Sequence, residues 1–308
     1  MVTQASALRG VRQRSTHLRA YVALTKPRII ELLLITTLPT MIVAQRGLPS
    51  VRLMAATLLG GALAAGGANA INMVVDRDID RLMQRTKNRP LVTGALTPRA
   101  ALIFALSLEV IAFVELWAWV NLLSAVLAVS ATLFYVFVYT LWLKRRSTQN
   151  IVIGGAAGAV PVLVGWAAVT DSLSWAPVVM FAIIFIWTPP HFWALAVRYR
   201  EDYQAASVPM LPAVASMRRT TLEILVYTVV LLGVSLVLAP VAHLSWFYVA
   251  SAGLLGLVFV AMAARLHAKA RQDQASGRDA MRLFQYSITY LTLLFVAMAA
   301  DVFVQRLW

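Results

Sequence analysis

The chain of 308 residues contains no cysteine. This excludes disulfides, thiolate nucleophiles and iron–sulfur ligation. Charge is scarce too: only 13% of residues are Asp, Glu, Lys or Arg, about half of what a water-soluble domain carries. Acids are rarer still, 13 against 27 Lys and Arg, for a formal net charge of +14. No Gly-rich nucleotide loop, nucleophile elbow or zinc signature occurs, so ATP-driven transport has no support. No stretch alternates with period two over strand length, which argues against a membrane β-barrel. The first 20 residues hold Arg9, Arg12, Arg14 and Arg19 and no acid. They lack an apolar core with a small-residue cleavage site, so a secretory signal is not expected. A cytoplasmic arm over 1–22 is the expectation, a mitochondrial transit peptide the alternative.

Apolar residues make up 60% of the chain, and its mean hydropathy is +0.76. Runs of about 20 apolar residues, enough to cross a bilayer as helix, recur along it. We place nine spans near 27–46, 52–75, 98–117, 120–143, 151–170, 175–197, 221–240, 244–264 and 284–305. With the amino terminus in the cytoplasm, 24 of the 27 Lys and Arg fall on cytoplasmic segments; only Arg46, Arg52 and Arg306 do not. That asymmetry obeys the positive-inside rule and accounts for the basic charge by contact with the lipid bilayer, with no nucleic acid. The expected fold is an all-α, nine-helix membrane bundle, a single domain over 23–308, with a central cavity open near the cytoplasmic face. Residues 265–282 read as a polar loop. The glycines of Gly60-Gly61, Gly66-Gly67, Gly154-Gly155 and Gly158 read as close helix packing.

Asn72, Asp76 and Asp80 recur every fourth residue where the second span meets water. Each step advances about 400° on a helix, so the three share one stripe. Like charges at i,i+4 repel; a divalent cation resolves the conflict, and carboxylate oxygens suit Mg²⁺. Arg77, Arg81 and Arg85 form a basic stripe beside it, suited to phosphate oxygens. The bland reading is a solvated helix end with internal ion pairs; the polar Asn one turn deeper in the membrane weighs against it. Asp78 falls about 200° away from Asp76 and reads as a pairing residue.

Further basic groups crowd the same face: Lys26 and Arg28 around Pro27, Lys144-Arg145-Arg146 with Asn150, and Arg198-Tyr199-Arg200-Glu201-Asp202-Tyr203. Pro189-Pro190 interrupts the sixth span and should kink it. His191 follows, between aromatic residues, and either packs in the core or helps to form a flat ring-binding wall.

The Asn72-xxx-Asp76-xxx-Asp80 motif resembles the first aspartate-rich motif of the UbiA-type intramembrane prenyltransferase superfamily. Several segments are similar to its protohaem IX farnesyltransferase (haem O synthase) family: Leu24 to Arg28, Asp80 to Leu91, Lys144 to Pro161, Thr188-Pro-Pro-His-Phe-Trp-Ala194, and Asp202-Tyr with Val208-Pro-Met-Leu-Pro212. The resemblance spans roughly 20–300. It implies transfer of farnesyl from farnesyl diphosphate to a vinyl group of haem b, with water, giving haem O and diphosphate. It implies Mg²⁺ on Asp76 and Asp80 oriented by Asn72, with Asp202 as a second-motif carboxylate. Diphosphate and haem would then be met by Lys26, Arg28, Arg77, Arg81, Lys144, Arg145, Arg146, Asn150, His191, Arg198 and Tyr203. The superfamily's second motif has two aspartates; here Arg198 stands at the first position, where it could hold diphosphate. A bacterial cytoplasmic membrane is the implied location, the mitochondrial inner membrane the alternative, with a haem A synthase or oxidase assembly protein as a partner. The competing readings are a prenyltransferase acting on a quinone precursor or chlorophyll-type ring, and a transporter. A transporter would place polar groups nearer the midplane.

Overall fold

The computed structural model describes residues 17–307, without the side chains of 28–34. Most of the amino-terminal arm, with Arg9, Arg12 and Arg14, and the Arg28 side chain therefore lie outside the described residues. The described chain is helical and without strands. Its helices are α1 (17–25), α2 (Pro27–Gln45), α3 (Val51–Val75), α4 (Arg77–Leu82), α5 (Pro98–Trp119), α6 (Leu122–Leu143), α7 (Asn150–Thr170), α8 (Trp175–Arg198), α9 (Arg200–Ala205), α10 (Leu211–Val214), α11 (Met217–Val241), α12 (Trp246–Arg271) and α13 (Gly277–Val304). Eight are long and apolar enough to cross a membrane: α3, α5, α6, α7, α8, α11, α12 and α13. They coincide in order with the second to ninth expected spans. The first coincides with α2, whose described apolar stretch, Ile35–Gln45, is shorter.

Helix starts are encoded locally. Ser50, Thr97, Asn121, Ser216 and Ser245 each accept a backbone N–H of the first turn through the side chain, and Ser276 forms a capping box with Asp279. These caps satisfy donors that hydrocarbon cannot. Within the bundle, small residues set helix spacing, because lipid tails supply no hydrophobic drive for one helix to join another. A Cβ on Gly60 would lie 2.5 Å from Leu116 Cγ, and one on Gly67 3.0 Å from the Ala105 carbonyl oxygen, so α3 and α5 touch nearly backbone to backbone. A Cβ on Gly155 would lie 2.9 Å from Thr188, which sets α7 equally close to α8. The remaining core joins α8, α11, α12 and α13 through Trp193, Ile224, Tyr248, Phe259 and Tyr290, all essentially inaccessible. At the end of the bundle opposite the basic clusters, Asp301 accepts from the backbone N–H of Ser245 and Tyr248 at 2.9 and 3.2 Å, anchoring the start of α12.

Two expectations are corrected. The segment 265–282 is not a long loop: α12 runs to Arg271 and α13 begins at Gly277. Lys269 Nζ meets Asp279 Oδ1 at 2.8 Å across the short turn, and the capping box holds the new helix. Pro189 and Pro190 also fail to break the sixth span; α8 is one helix of 24 residues with both prolines inside. Thr188 through His191 are buried, and neighbouring helices tolerate the lost amide bonds where water has no access.

A third feature was not anticipated. From Phe134 to Leu143, α6 is wound as π-helix. Thr140 Oγ1 donates to the Tyr135 carbonyl at 2.8 Å and the Lys144 amide to the Tyr139 carbonyl at 2.8 Å, both five residues back. π-segments are uncommon and gather at functional sites. This one delivers Tyr135, Tyr139, Thr140 and Lys144 to the end of α3.

Candidate functional site

The chain turns at Asp76. α3 ends at Val75, and Asp76, at φ −85° and ψ 7°, is both its C-cap and the N-cap of α4. The amide of Asp76 still bonds the Asn72 carbonyl and that of Asp80 the Asp76 carbonyl, each at 2.9 Å. The stripe therefore survives the turn, and Asn72, Asp76 and Asp80 are all buried while Asp78 is exposed. This is the division that the helical phase implies.

The buried three are bound into a charge network. Asn72 donates from Nδ2 to Asp76 Oδ2 at 2.7 Å and to Thr140 Oγ1 at 3.2 Å; its Oδ1 accepts from Lys26 Nζ at 3.1 Å. Lys144 Nζ pairs with Asp76 Oδ2. Arg145 grips Asp78 with two bonds of 2.6 and 2.7 Å and reaches Asp76 Oδ1 at 3.7 Å. Its hydrogen bonds hold the Asp78 carboxyl below the usual carboxylate range. Asp80 Oδ2 accepts from Arg89 Nη1 at 2.6 Å. Asp76 Oδ1, wholly buried, has no hydrogen-bond partner among the described residues. Burial, with the positive charges of Arg89 and Lys144 close by, pulls Lys26 down to about 7. The wall carries more positive charge than its own carboxylates balance, and an anion would relieve it.

This network closes one end of a cavity of about 370 Å³. Lys26, Asn72, Asp80, Arg85, Arg89 and Lys144 line its polar end; Ala64, Gly61, Gly158, Pro161, Val164, Ile184 and Trp187 are among the residues that make the rest apolar. Tyr135 and Tyr139 form part of the same wall, stacked with centroids 5.3 Å apart. Gly61 and Gly158 face it with nothing within 4 Å of where a Cβ would stand. A pocket cationic at one end and greasy for the remainder suits an amphiphile with an anionic head.

The other residues expected at the site divide. Tyr203 lines the cavity, its hydroxyl accepting from Arg85 Nη2 at 3.1 Å. Asn150 is fully buried beneath it, donating to the Lys144 carbonyl at 3.3 Å. Arg77 and Arg145 line a separate groove with Asp78. Arg81, Arg146 and Arg198 are exposed and line neither. His191 is buried beside the cavity wall, its ring stacked on Trp187 at 4.1 Å and its Nδ1 2.7 Å from Ser287 Oγ. Asp202 accepts the backbone amides of Gln84 and Arg85, each at 3.1 Å. In that position it shapes the turn that carries Arg89. Asp202→Asn should then keep turnover within about ten-fold while Asp202→Ala lowers stability by about 1 kcal/mol. Loss of all activity in the asparagine variant, at unchanged melting temperature, would contradict this.

Arg89, Tyr135, Tyr139, Thr140 and Asn69 were missed from sequence. Asn69, one turn before Asn72, carried a legible signal; its Nδ2 donates to the Thr25 carbonyl at 3.3 Å. Arg89 gave none, because only the folded turn after α4 returns it to Asp80. Among the described residues no three His, Asp or Glu side chains gather as a metal cluster.

Comparison with known proteins places this arrangement in context. Residues 33–301 match the UbiA prenyltransferase family. A "Protoheme IX farnesyltransferase" of Streptomyces avermitilis is 52% identical over 306 residues, covering 99% of this chain and 100% of the relative. One of Renibacterium salmoninarum is 54% identical over 286 residues, covering 93% and 90% respectively. Among solved structures, a digeranylgeranylglyceryl phosphate synthase superposes with a TM-score of 0.75 at 15% identity, covering 93% of this chain and 98% of that one. A UbiA homologue from Archaeoglobus fulgidus bound to GPP and Mg²⁺ gives 0.59 at 15% identity, covering 91% and 99%.

Proposed function

The chain belongs to the UbiA prenyltransferase family, and from that premise we propose that it farnesylates haem b. The observation that carries the reading is its 52% identity, end to end, with a relative named as a protoheme IX farnesyltransferase. The cavity supports it: cationic where a diphosphate would sit, apolar where a prenyl chain and a porphyrin edge would lie. We orient the basic end toward the cytoplasm of a bacterial inner membrane by the positive-inside asymmetry, with α2 as a ninth span.

The donor set fits Mg²⁺. Asp76 offers a buried oxygen with no hydrogen bond, and Asp80 and Asn72 offer further hard oxygens. Mg²⁺ is commonly held by one or two carboxylates together with substrate phosphates, so a two-carboxylate wall suffices; the homologue that holds GPP and Mg²⁺ has the same fold. When bound, the ion would neutralise the diphosphate as a leaving group. Lys26, Arg85, Arg89 and Lys144 orient the phosphates and stabilise the charge that develops on them. The allylic C–O bond then breaks. Tyr135 and Tyr139 on the cavity wall offer aromatic surface that favours a carbocation, and the apolar walls keep water from it. The haem vinyl group attacks the farnesyl carbon, forming the C–C bond. Water adds to the cation left on the vinyl carbon and loses a proton, giving the hydroxyethylfarnesyl arm and free diphosphate.

The test is incubation of the purified protein with haem b, farnesyl diphosphate and Mg²⁺. Haem O, read as the farnesyl-plus-water mass increment, should appear with equal diphosphate release; a prenylated quinone precursor in place of haem O would overturn the assignment. Trp187 lies on the cavity wall and His191 braces it from behind. His191→Phe, which keeps the stack, should hold haem affinity within about three-fold and leave the Soret band in place. A Soret shift would make His191 a haem contact instead.

A further inference from the structure

Both carboxylates of the stripe are already neutralised by cations of the chain itself. Asp80 is held by Arg89 at 2.6 Å. Asp76 is held by Lys144 and Asn72 and has 0% side-chain exposure. Lys144 and Asn72 line the cavity and Asp76 does not. On the cavity side Asp76 Oδ2 is covered by Lys144 and Asn72, and Oδ1 stands 3.7 Å from Arg145, so an ion that uses Oδ2 must displace Lys144. The displaced ammonium and guanidinium would then stand in a wall that already holds Lys26 and Arg85. Adding a divalent cation alone would raise positive charge at low dielectric, where it is costly. A diphosphate removes that cost, because it gives the displaced cations new partners.

We propose that Arg89 and Lys144 are exchange cations: they occupy the carboxylates until metal and diphosphate arrive together, then transfer to the phosphate oxygens. The proposal rests on the reading of Asp76 and Asp80 as metal ligands. It assigns Arg89 a direct role in holding the leaving group, and it makes the metal and the diphosphate bind cooperatively. Neither should bind well without the other.

The experiment is Mn²⁺ titration by electron paramagnetic resonance on the full chain in lipid nanodiscs, with and without inorganic pyrophosphate, corrected for the free Mn²⁺–pyrophosphate complex. Wild-type protein should bind Mn²⁺ at least about ten-fold more tightly when pyrophosphate is present. Arg89→Gln and Lys144→Gln should each bind Mn²⁺ alone on the order of ten-fold more tightly than wild type, and should lose most of the pyrophosphate enhancement. A merely structural residue would not improve metal binding when removed. Arg89→Lys, which keeps the charge, should behave like wild type. The Arg89 side chain is 24% exposed, so its variants test the idea even if Lys144→Gln folds poorly. Tight Mn²⁺ binding by wild type without pyrophosphate, or no gain in the glutamine variants, would overturn the exchange while leaving the metal site standing. No Mn²⁺ binding by wild type under either condition would remove the metal site, and the exchange with it.

Discussion

Asp80→Ala and Asp76→Asn are each expected to lower kcat/KM for haem farnesylation by at least about a thousand-fold, with the protein still folded and membrane-inserted. A loss of that size corresponds to about 4 kcal/mol of transition-state stabilisation. Both changes remove a carboxylate that would hold the Mg²⁺ neutralising the leaving diphosphate, and both act at low dielectric. Asp80→Ala also releases Arg89 from its 2.6 Å pair, but Arg89 opens onto the cavity and can be solvated there. Asp76→Asn keeps the shape of a fully buried side chain and a hydrogen-bond acceptor for Lys144, whereas alanine would leave Lys144 without its buried partner. Asp78→Asn is the control. Asp78 is exposed and tied to Arg145 outside the central cavity, so activity should stay within about three-fold, as for a screened surface pair. Haem O quantified by mass spectrometry, beside a melting curve in detergent, decides the matter. Activity within ten-fold of wild type for either stripe variant would remove that residue from the chemistry.

Leucine at Gly61 or Gly158 is expected to cut turnover with farnesyl diphosphate by about a hundred-fold while sparing stability. A Cβ at either position would meet nothing within 4 Å. Both glycines line the apolar part of the cavity, so a side chain there takes space from a substrate and not from a neighbouring helix. About 3 kcal/mol of lost substrate packing is the scale for overfilling a site of this kind. A shorter allylic diphosphate, such as dimethylallyl diphosphate, should be affected less. The contrast is Gly154→Ala, whose Cβ would stand 2.2 Å from the Tyr139 ring. It should destabilise the fold by about 1–3 kcal/mol and impair every substrate alike. Equal loss with long and short prenyl donors at Gly61 and Gly158 would count against a prenyl channel there.

The motif on α3 shows what could be read in advance, whereas of the glycines expected to pack helices Gly60, Gly66, Gly67, Gly154 and Gly155 do so and Gly61 and Gly158 instead face the cavity. Repetition every four residues placed Asn72, Asp76 and Asp80 on one face and Asp78 on another, because helical phase is a local property of the backbone. Span positions were legible for the same reason: hydrocarbon forces backbone groups to pair within the segment, so length and hydropathy determine the elements one by one. Distribution of Lys and Arg marked, without any coordinates, the end of the bundle at which the cavity's cationic wall lies.

Tertiary structure alone decided which charges meet. Of the basic stripe Arg77, Arg81 and Arg85, only Arg85 lines the cavity, where it is joined by Lys144, expected from sequence, and Arg89, which was not. Arg89 returns through a turn whose shape depends on Asp202, over a hundred positions away. Lys144 arrives on a π-wound segment whose five-residue hydrogen bonds no four-residue pattern announces. The continuity of α8 through two prolines was likewise set by its neighbours. Periodicity and hydropathy are properties of short stretches and can be read along the chain; ion pairing and cavity shape depend on which distant side chains the packed bundle brings within a few ångströms.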